Sequence, residues 1–465
     1  MDLRGCFSPR DGLLVSWQRL TLISLMALVA ACSDLEAEFL PADEASADLR
    51  LPTPSRALVV LESQELSERL IDFRVLSPAL AAEVRVRVLL PKEYDPQRRD
   101  PYPVSYLLHG CCSDGRGYAS WTDEMNLLAI SDLLDVVYVM PEGGNGGLYS
   151  DWQNAGLGGP PRWETHHIRE LLPWVERQFH VRRDRAGRML LGISMGGHGA
   201  LAYAAKYPHY FGSAAALSPA IDSNTLLGRL VLDDGALLDG GVESDVWGPR
   251  SSEELRWRGH NPFDLAENLG TVDVVIRSGN GRQPGRLLFL DVLEAAVHEM
   301  SVNVHRELNR LGIAHQFDDY GFGTHTPDFW EEGLARILPQ QASAAALPPM
   351  PVRHFSHRVI DEEFDVFGWS VAVQRDAKEF VRLGNVSEQG FTLSGSGQAT
   401  VTSATWFDSD SPYTVTVDGR PETMVSDGAG RLHFNVDLGP PRTVQEYRFG
   451  APPGFLRSVD VQITR

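Results

Sequence analysis

The chain has 465 residues, a formal charge of −20, and 43% hydrophobic against 22% charged residues. Those proportions belong to a globular protein and exclude a disordered one, and the length exceeds what one ordinary core holds. An acidic surface repels phosphate backbones and offers no basic patch, so nucleic acid is excluded as a partner and membrane attachment through surface charge is excluded with it.

In chain order, the first element reads as an export segment. Arg19 precedes an apolar run over residues 20–31, too short to span a bilayer comfortably but matched to the hydrophobic region of a signal peptide. Val29-Ala30-Ala31-Cys32 resembles the bacterial lipobox. That resemblance implies acylation of Cys32 and an exported, lipid-anchored protein of the cell envelope, on its periplasmic or extracellular face. An ordinary secretory signal with Cys32 as a bystander is the alternative. The expected division is a signal peptide over 1–31 and an acidic, proline-containing tether over 32–55.

Strand and helix patterns alternate over residues 56–338. Val84–Val88 has the period of two of a half-exposed strand. Short runs bounded by turn residues follow at 104–108, 136–140, 189–191, 213–217, 272–276 and 315–320. Helical stretches at 163–179 and 287–311 lie between them. Such βα alternation predicts an α/β fold with a mostly parallel sheet covered on both faces, with its site at the carboxyl ends of the strands. Residues 339–353, rich in alanine and proline, read as a linker. Residues 354–465 hold short alternating segments such as Tyr413–Val417, and predict a small all-β sandwich.

The chemistry concentrates at Gly192-Ile193-Ser194-Met195-Gly196. Flanking glycines permit the strained strand-to-helix turn that exposes a nucleophilic serine at a helix N-terminus. A serine hydroxyl needs a base, and the base needs a carboxylate to hold its tautomer. His325, in a glycine-flanked loop after the final predicted strand, is the candidate base. His298, His305 and His315 fall on predicted helix or strand, where a structural histidine is the common outcome. For the acid, pattern alone leaves Asp291, Glu294 and Glu299 open. Cys111 and Cys112 are adjacent; the expectation is two small buried thiols, with a vicinal disulfide as the alternative.

Residues 84–335 resemble an α/β-hydrolase esterase family, and within it the mycolyltransferases of the antigen 85 type. The matching stretches are Val139–Gly144 with Tyr149–Trp152, Asp245–Pro249 with Asn261-Pro262, Ser278–Gly281, and Gly323–His325 with Trp330. The resemblance implies that the acid is a glutamate in a Leu-Glu setting opening a helix, just over thirty residues before the histidine. Glu294, 31 residues before His325, fits, and Asp291 stands in reserve. It also implies an oxyanion hole made by the backbone N–H groups of Cys111 and Met195. Gly192–Leu201 is similar to the nucleophile segment of the S-formylglutathione hydrolases as well. His198 fits that segment and reads as packing. In the mycolyltransferases the loop at 109–112 carries an aspartate and an arginine that hold trehalose, and a tryptophan lies two residues past the catalytic histidine. Here those positions are His109, Cys112 and Pro327, so a trehalose acceptor is not expected.

The expected protein is therefore a serine esterase that forms an acyl-enzyme at Ser194 and acts on a small-molecule or lipid ester. An acyltransferase using a sugar or lipid alcohol is the second reading, and a catalytically inactive surface-binding lipoprotein the third. No zinc-ligand spacing, EF-hand pattern or phosphate-binding glycine loop occurs in the chain, so neither metal nor cofactor is expected. Nothing in 354–465 identifies a ligand for the sandwich.

Overall fold

The computed structural model describes residues 57–113, 115–154, 162–237, 246–286, 289–447 and 457–465. The signal segment, Cys32, the tether and Asp245 lie outside the described residues.

A nine-stranded sheet organises the first part of the chain, in the order β1-β2-β3-β5-β4-β6-β7-β8-β9. Its strands are β1 (Val59–Ser67), β2 (Leu70–Ser77), β3 (Ala82–Leu89), β4 (Val104–Leu108), β5 (Val137–Pro141), β6 (Arg188–Ile193), β7 (Ser213–Leu217), β8 (Asp273–Ser278) and β9 (Gln316–Asp319). From β5 to β9 neighbouring strands are parallel, while β1, β2 and β3 join antiparallel at one edge. Every residue of β4, β5, β6 and β7 is buried. This explains their unbroken apolar runs, since a parallel strand is covered on both faces.

The covering helices are α1 (Gly117–Asp123), α2 (Leu127–Ile130), α3 (residues 163–178, with a π-turn over His166–Leu171), α4 (Met195–Lys206), α5 (Leu226–Leu237), α6 (Arg250–Gly259), α7 (Val292–Arg310) and α8 (Pro327–Ala345). Two apolar layers result. One holds Trp152, Trp163, Trp174 and Tyr203, and the other Trp121, Met140, Leu334 and Ile337. Among the described residues no helix is long and apolar enough to cross a membrane.

The β1–β2 hairpin is absent from the sequence reading. All of β1 is exposed, so no burial alternation marks it. The linker expected from residue 339 begins inside α8, which runs to Ala345. Gln341 explains this, because it is buried and its Nε2 donates to Leu190 O and Ser213 Oγ, both at 3.0 Å.

The C-terminal region is a two-sheet antiparallel sandwich, as expected. One sheet runs β10 (Phe355–Val359), β13 (Val381–Ser387), β14 (Gly390–Gly395), β19 (Arg457–Thr464), β16 (Pro412–Val417), β17 (Arg420–Val425). The other runs β11 (Glu363–Val366), β12 (Trp369–Gln374), β15 (Gln398–Thr402), β18 (His433–Asp437). Alternate residues of both sheets enclose Trp369, Phe391, Leu393 and Phe434.

The sandwich is docked on the α/β region. Asn268 donates to Arg358 O at 2.9 Å and accepts the Arg358 N–H at 2.7 Å, so its amide imitates a strand partner for β10. Glu267 pairs with Arg382 at 2.8 Å. Ile360 fills the space left by Gly259, where a β-carbon would meet it at 2.5 Å.

Two histidines lie in this contact region, His209 against Phe367 and His357 on β10. Burial pushes His209 down to about 4 and His357 down to about 3. In the unfolded chain both bind protons near pH 6.5. The unfolded state therefore holds more protons as pH falls from about 6.5 towards 4, and stability declines through that window. Thermal melts should show Tm falling between pH 7 and pH 5. His357→Leu should flatten that dependence by removing up to about one proton from the difference; an unchanged slope would show that His357 titrates normally in the folded protein.

Candidate active site

The turn between β6 and α4 carries Ser194 at φ 55°, ψ −116°, a conformation that L-residues hold only when their surroundings over-determine it. Its surroundings do. A β-carbon on Gly192 would lie 1.9 Å from Gly196 O, and one on Gly196 would lie 1.8 Å from Leu108 O. The turn can close only with glycine at both positions. The Ser194 N–H donates to Leu217 O at 2.9 Å, tying the turn to the end of β7.

Glu294 and His325 meet at the neighbouring strand ends. Glu294 is fully buried, and its Oε2 lies 2.8 Å from His325 Nδ1. Its Oε1 accepts the Gly279 N–H at 2.8 Å and the Ser218 hydroxyl at 3.0 Å, with the Tyr320 hydroxyl at 3.5 Å. A buried carboxylate is tolerated where donors fill its lone pairs in this way. The Glu294 contact makes Nδ1 the protonated nitrogen of a neutral His325 and leaves Nε2 with its lone pair.

Asp291 does different work. It caps α7, with Oδ1 accepting the Glu294 N–H at 3.1 Å. Its Oδ2 accepts the backbone N–H of His325 at 2.9 Å. The reserve acid therefore holds the two segments together through their backbones, and only Glu294 reaches the ring. Glu299 is exposed. His298 pairs with Asp319, and His305 with His315. Among the described residues Ser194 and His325 share no hydrogen bond; they stand on the same edge of the sheet, linked through Leu217, Ser218 and Glu294.

Ser218 was not legible as a site residue. It follows β7 at φ 45°, and its hydroxyl accepts the Trp330 Nε1–H at 3.1 Å while donating to Glu294. Trp330 also sets its ring edge-on to His325, with centroids 5.0 Å apart. The one signal was position, a serine directly after a buried strand. His198 is packing, as expected: Nδ1 meets Ala220 O at 3.0 Å, its ring rests on Trp247, and burial lowers it to about 4.

The loop after β4 passes beside the serine. A β-carbon on Gly110 would stand 3.4 Å from Ser194 Cβ. The expectation of free thiols is corrected here, because Cys111 and Cys112 are disulfide-bonded. Cys112 adopts φ 70°, and its N–H donates to Asn145 O at 3.0 Å. This backbone turn brings the adjacent sulfurs together, and composition carries no sign of it. With the Cys112 amide engaged, the Cys111 amide is left without a protein acceptor among the described residues. Met195 opens α4, where the first amides have no carbonyl one turn earlier. Among the described residues no group of three or more potential metal ligands occurs.

Residues 77–341 match the family described as Putative esterase, and the chain belongs to that family. "Esterase Rv1288" of Mycobacterium tuberculosis (strain ATCC 25618 / H37Rv) is 32% identical over 302 residues, covering 62% of this chain. The aligned region is 64% of that relative's length, so the chain spans less than two thirds of it. "Diacylglycerol acyltransferase/mycolyltransferase Ag85A" of the same strain is 28% identical over 259 residues, 53% of this chain and 75% of that protein. The solved structure of Mycobacterium tuberculosis MPT51 superposes with a TM-score of 0.48 at 22% identity, covering 58% of this chain and 96% of that one.

Ser218→Ala removes one donor to Glu294 and leaves the Trp330 indole unpaired. A hydrogen bond to a charged group contributes about 1.5–3 kcal/mol, so ester turnover should fall by roughly tenfold or more with the fold retained. Steady-state kinetics beside a melting curve checks this; wild-type turnover would show that Gly279, Tyr320 and His325 hold Glu294 sufficiently without Ser218.

Proposed function

We propose that this protein is a serine esterase in which Ser194 is the nucleophile, His325 the general base and acid, and Glu294 the residue that orients the imidazole. The Glu294–His325 contact of 2.8 Å, at the strand ends that also carry Ser194, is the observation that carries this reading. His325 Nε2 takes the Ser194 proton as Oγ attacks the ester carbonyl carbon. The oxyanion that forms is stabilised by the N–H groups of Cys111 and Met195, each such donor contributing about 3–4 kcal/mol. The C–O bond to the alcohol then breaks, and His325 returns the proton to the departing oxygen. Water attacks the acyl-serine with His325 again as base, releasing the acid and restoring Ser194.

Leu290, Val292 and Phe322 support an apolar acyl group as part of the substrate. They are exposed large hydrophobic residues on the segments that lead into Glu294 and His325. Transfer of the acyl group to an alcohol instead of water is the second reading, favoured by the similarity to Ag85A. The intact Glu294–His325 pair and glycine-flanked Ser194 speak against an inactive surface-binding protein.

Ser194→Ala and His325→Ala should each reduce hydrolysis of nitrophenyl esters by about 10⁴-fold or more. Glu294→Gln should cost far more than Asp291→Asn, and the reverse order would give the orienting role to Asp291. Running the same assays with alcohol acceptors separates hydrolysis from transfer by the products formed.

The export reading rests on residues 19–32 alone. It assigns the protein to the cell envelope, anchored through acylated Cys32. In a bacterial host it should partition into the detergent phase, and Cys32→Ser should yield an uncleaved or soluble species. A mature, lipid-free chain beginning downstream of Cys32 would remove the anchor.

A further inference from the structure

His109 belongs to neither the nucleophile nor the Glu294–His325 pair, yet it is buried at 1% exposure in the loop beside Ser194. Its Nε2 accepts the Gly143 N–H at 2.8 Å. A backbone N–H can only donate, so in this arrangement the ring proton sits on Nδ1. Nδ1 lies 2.7 Å from Gly110 O, and the bond runs from the ring to that carbonyl. Glu142 Oε1 is 3.4 Å from Nε2, on the Gly143 side of the ring and not on the Gly110 side.

The Gly110 carbonyl and the Cys111 N–H are the two ends of one planar peptide, so holding one aims the other. Glycine gives that peptide little resistance to rotation, and the His109 ring, itself held by the Gly143 N–H from a separate loop, restrains it. Gly110 itself stands beside Ser194. The next amide is held separately, by Cys112 N–H on Asn145 O and by the disulfide.

We infer that His109 is a positioning residue of the oxyanion hole, which relays the fixed Gly143 amide through its imidazole to Gly110 O and so orients and polarises the Cys111 N–H. The inference rests on the reading of Ser194 as nucleophile and Cys111 as donor. Gly117 completes the arrangement, since a β-carbon there would fall 2.1 Å from His109 Nδ1. The Tyr149 hydroxyl secures the His109 backbone by donating to its carbonyl at 2.9 Å.

Three variants test this, with Ser194→Ala as the control. In His109→Asn the carboxamide nitrogen lies near the position of Nδ1 and can still donate to Gly110 O. In His109→Leu nothing can. His109→Leu should lower kcat by about 10- to 100-fold, less than outright loss of an oxyanion donor, with KM within about twofold. Affinity for an aryl boronate, which forms a tetrahedral adduct on serine, should fall in parallel with kcat. His109→Asn should stay within about threefold of wild type, because the misplaced donor is the cause of the loss. Gly117→Ala retains the imidazole but displaces it, and should resemble His109→Leu. If His109→Leu does not fold, the comparison of His109→Asn with Gly117→Ala decides. A His109→Leu enzyme with normal kcat, a loss confined to KM, an Asn variant as slow as Leu, or a fully active Gly117→Ala would each overturn the relay. Full activity in Ser194→Ala would instead overturn the nucleophile assignment beneath it.

Discussion

A β-carbon on Gly196 would lie 1.8 Å from Leu108 O and 2.6 Å from His109 O. The start of α4 therefore rests directly on the carbonyls that end β4 and begin the following loop. Bare backbone against bare backbone lets a helix N-terminus, its serine and a neighbouring loop converge at one point. The positive φ of Ser194 and the approach of Gly110 accompany that contact. A single methyl group at Gly196 would separate Ser194, the proposed nucleophile, from the loop proposed to stabilise its oxyanion.

The acidic partner is organised by a different rule. Glu294 is buried completely, which disfavours an ionised carboxylate unless donors replace the lost water. Gly279, Ser218 and His325 supply them from the ends of three adjacent strands. Asp291, three residues earlier, caps the same helix and grips the His325 backbone. Two acids one turn apart thus divide the task, one setting the main chain and the other the ring. The ring's edge-on contact with Trp330, itself bonded to Ser218, closes the set from the far side.

Docking of the sandwich combines polar pairs with an apolar contact, since Ile360 and Phe380 join the core of the α/β region. Asn268 supplies a strand-like pair of hydrogen bonds, Glu267 an ion pair, and Gly259 a space for Ile360. His209 and His357 remain neutral there because burial disfavours their charged forms. The contact is thus one whose stability depends on the protons the unfolded chain can take up.

Local features were open to reading along the chain, because they are expressed in neighbouring residues. Apolar runs marked the covered parallel strands, and alternation marked the sandwich. Glycines around Ser194 marked the turn, and the loop position of His325 marked a candidate base, while pattern alone left the acid open among three carboxylates. What required distance through space was decided only by the tertiary structure. Pattern alone could not rank Asp291 against Glu294 and only the family resemblance favoured Glu294; in space, Glu294 is buried against His325 Nδ1 while Asp291 holds the His325 backbone. Cys111 and Cys112 are paired where Cys112 holds a positive φ and donates its N–H to Asn145 O, a partner more than thirty residues away. The exposed β1 carries no burial pattern, and Ser218, Asn268 and His109 carry no motif. Their roles arise from which backbone groups the fold sets opposite them, and a one-dimensional pattern holds no record of that.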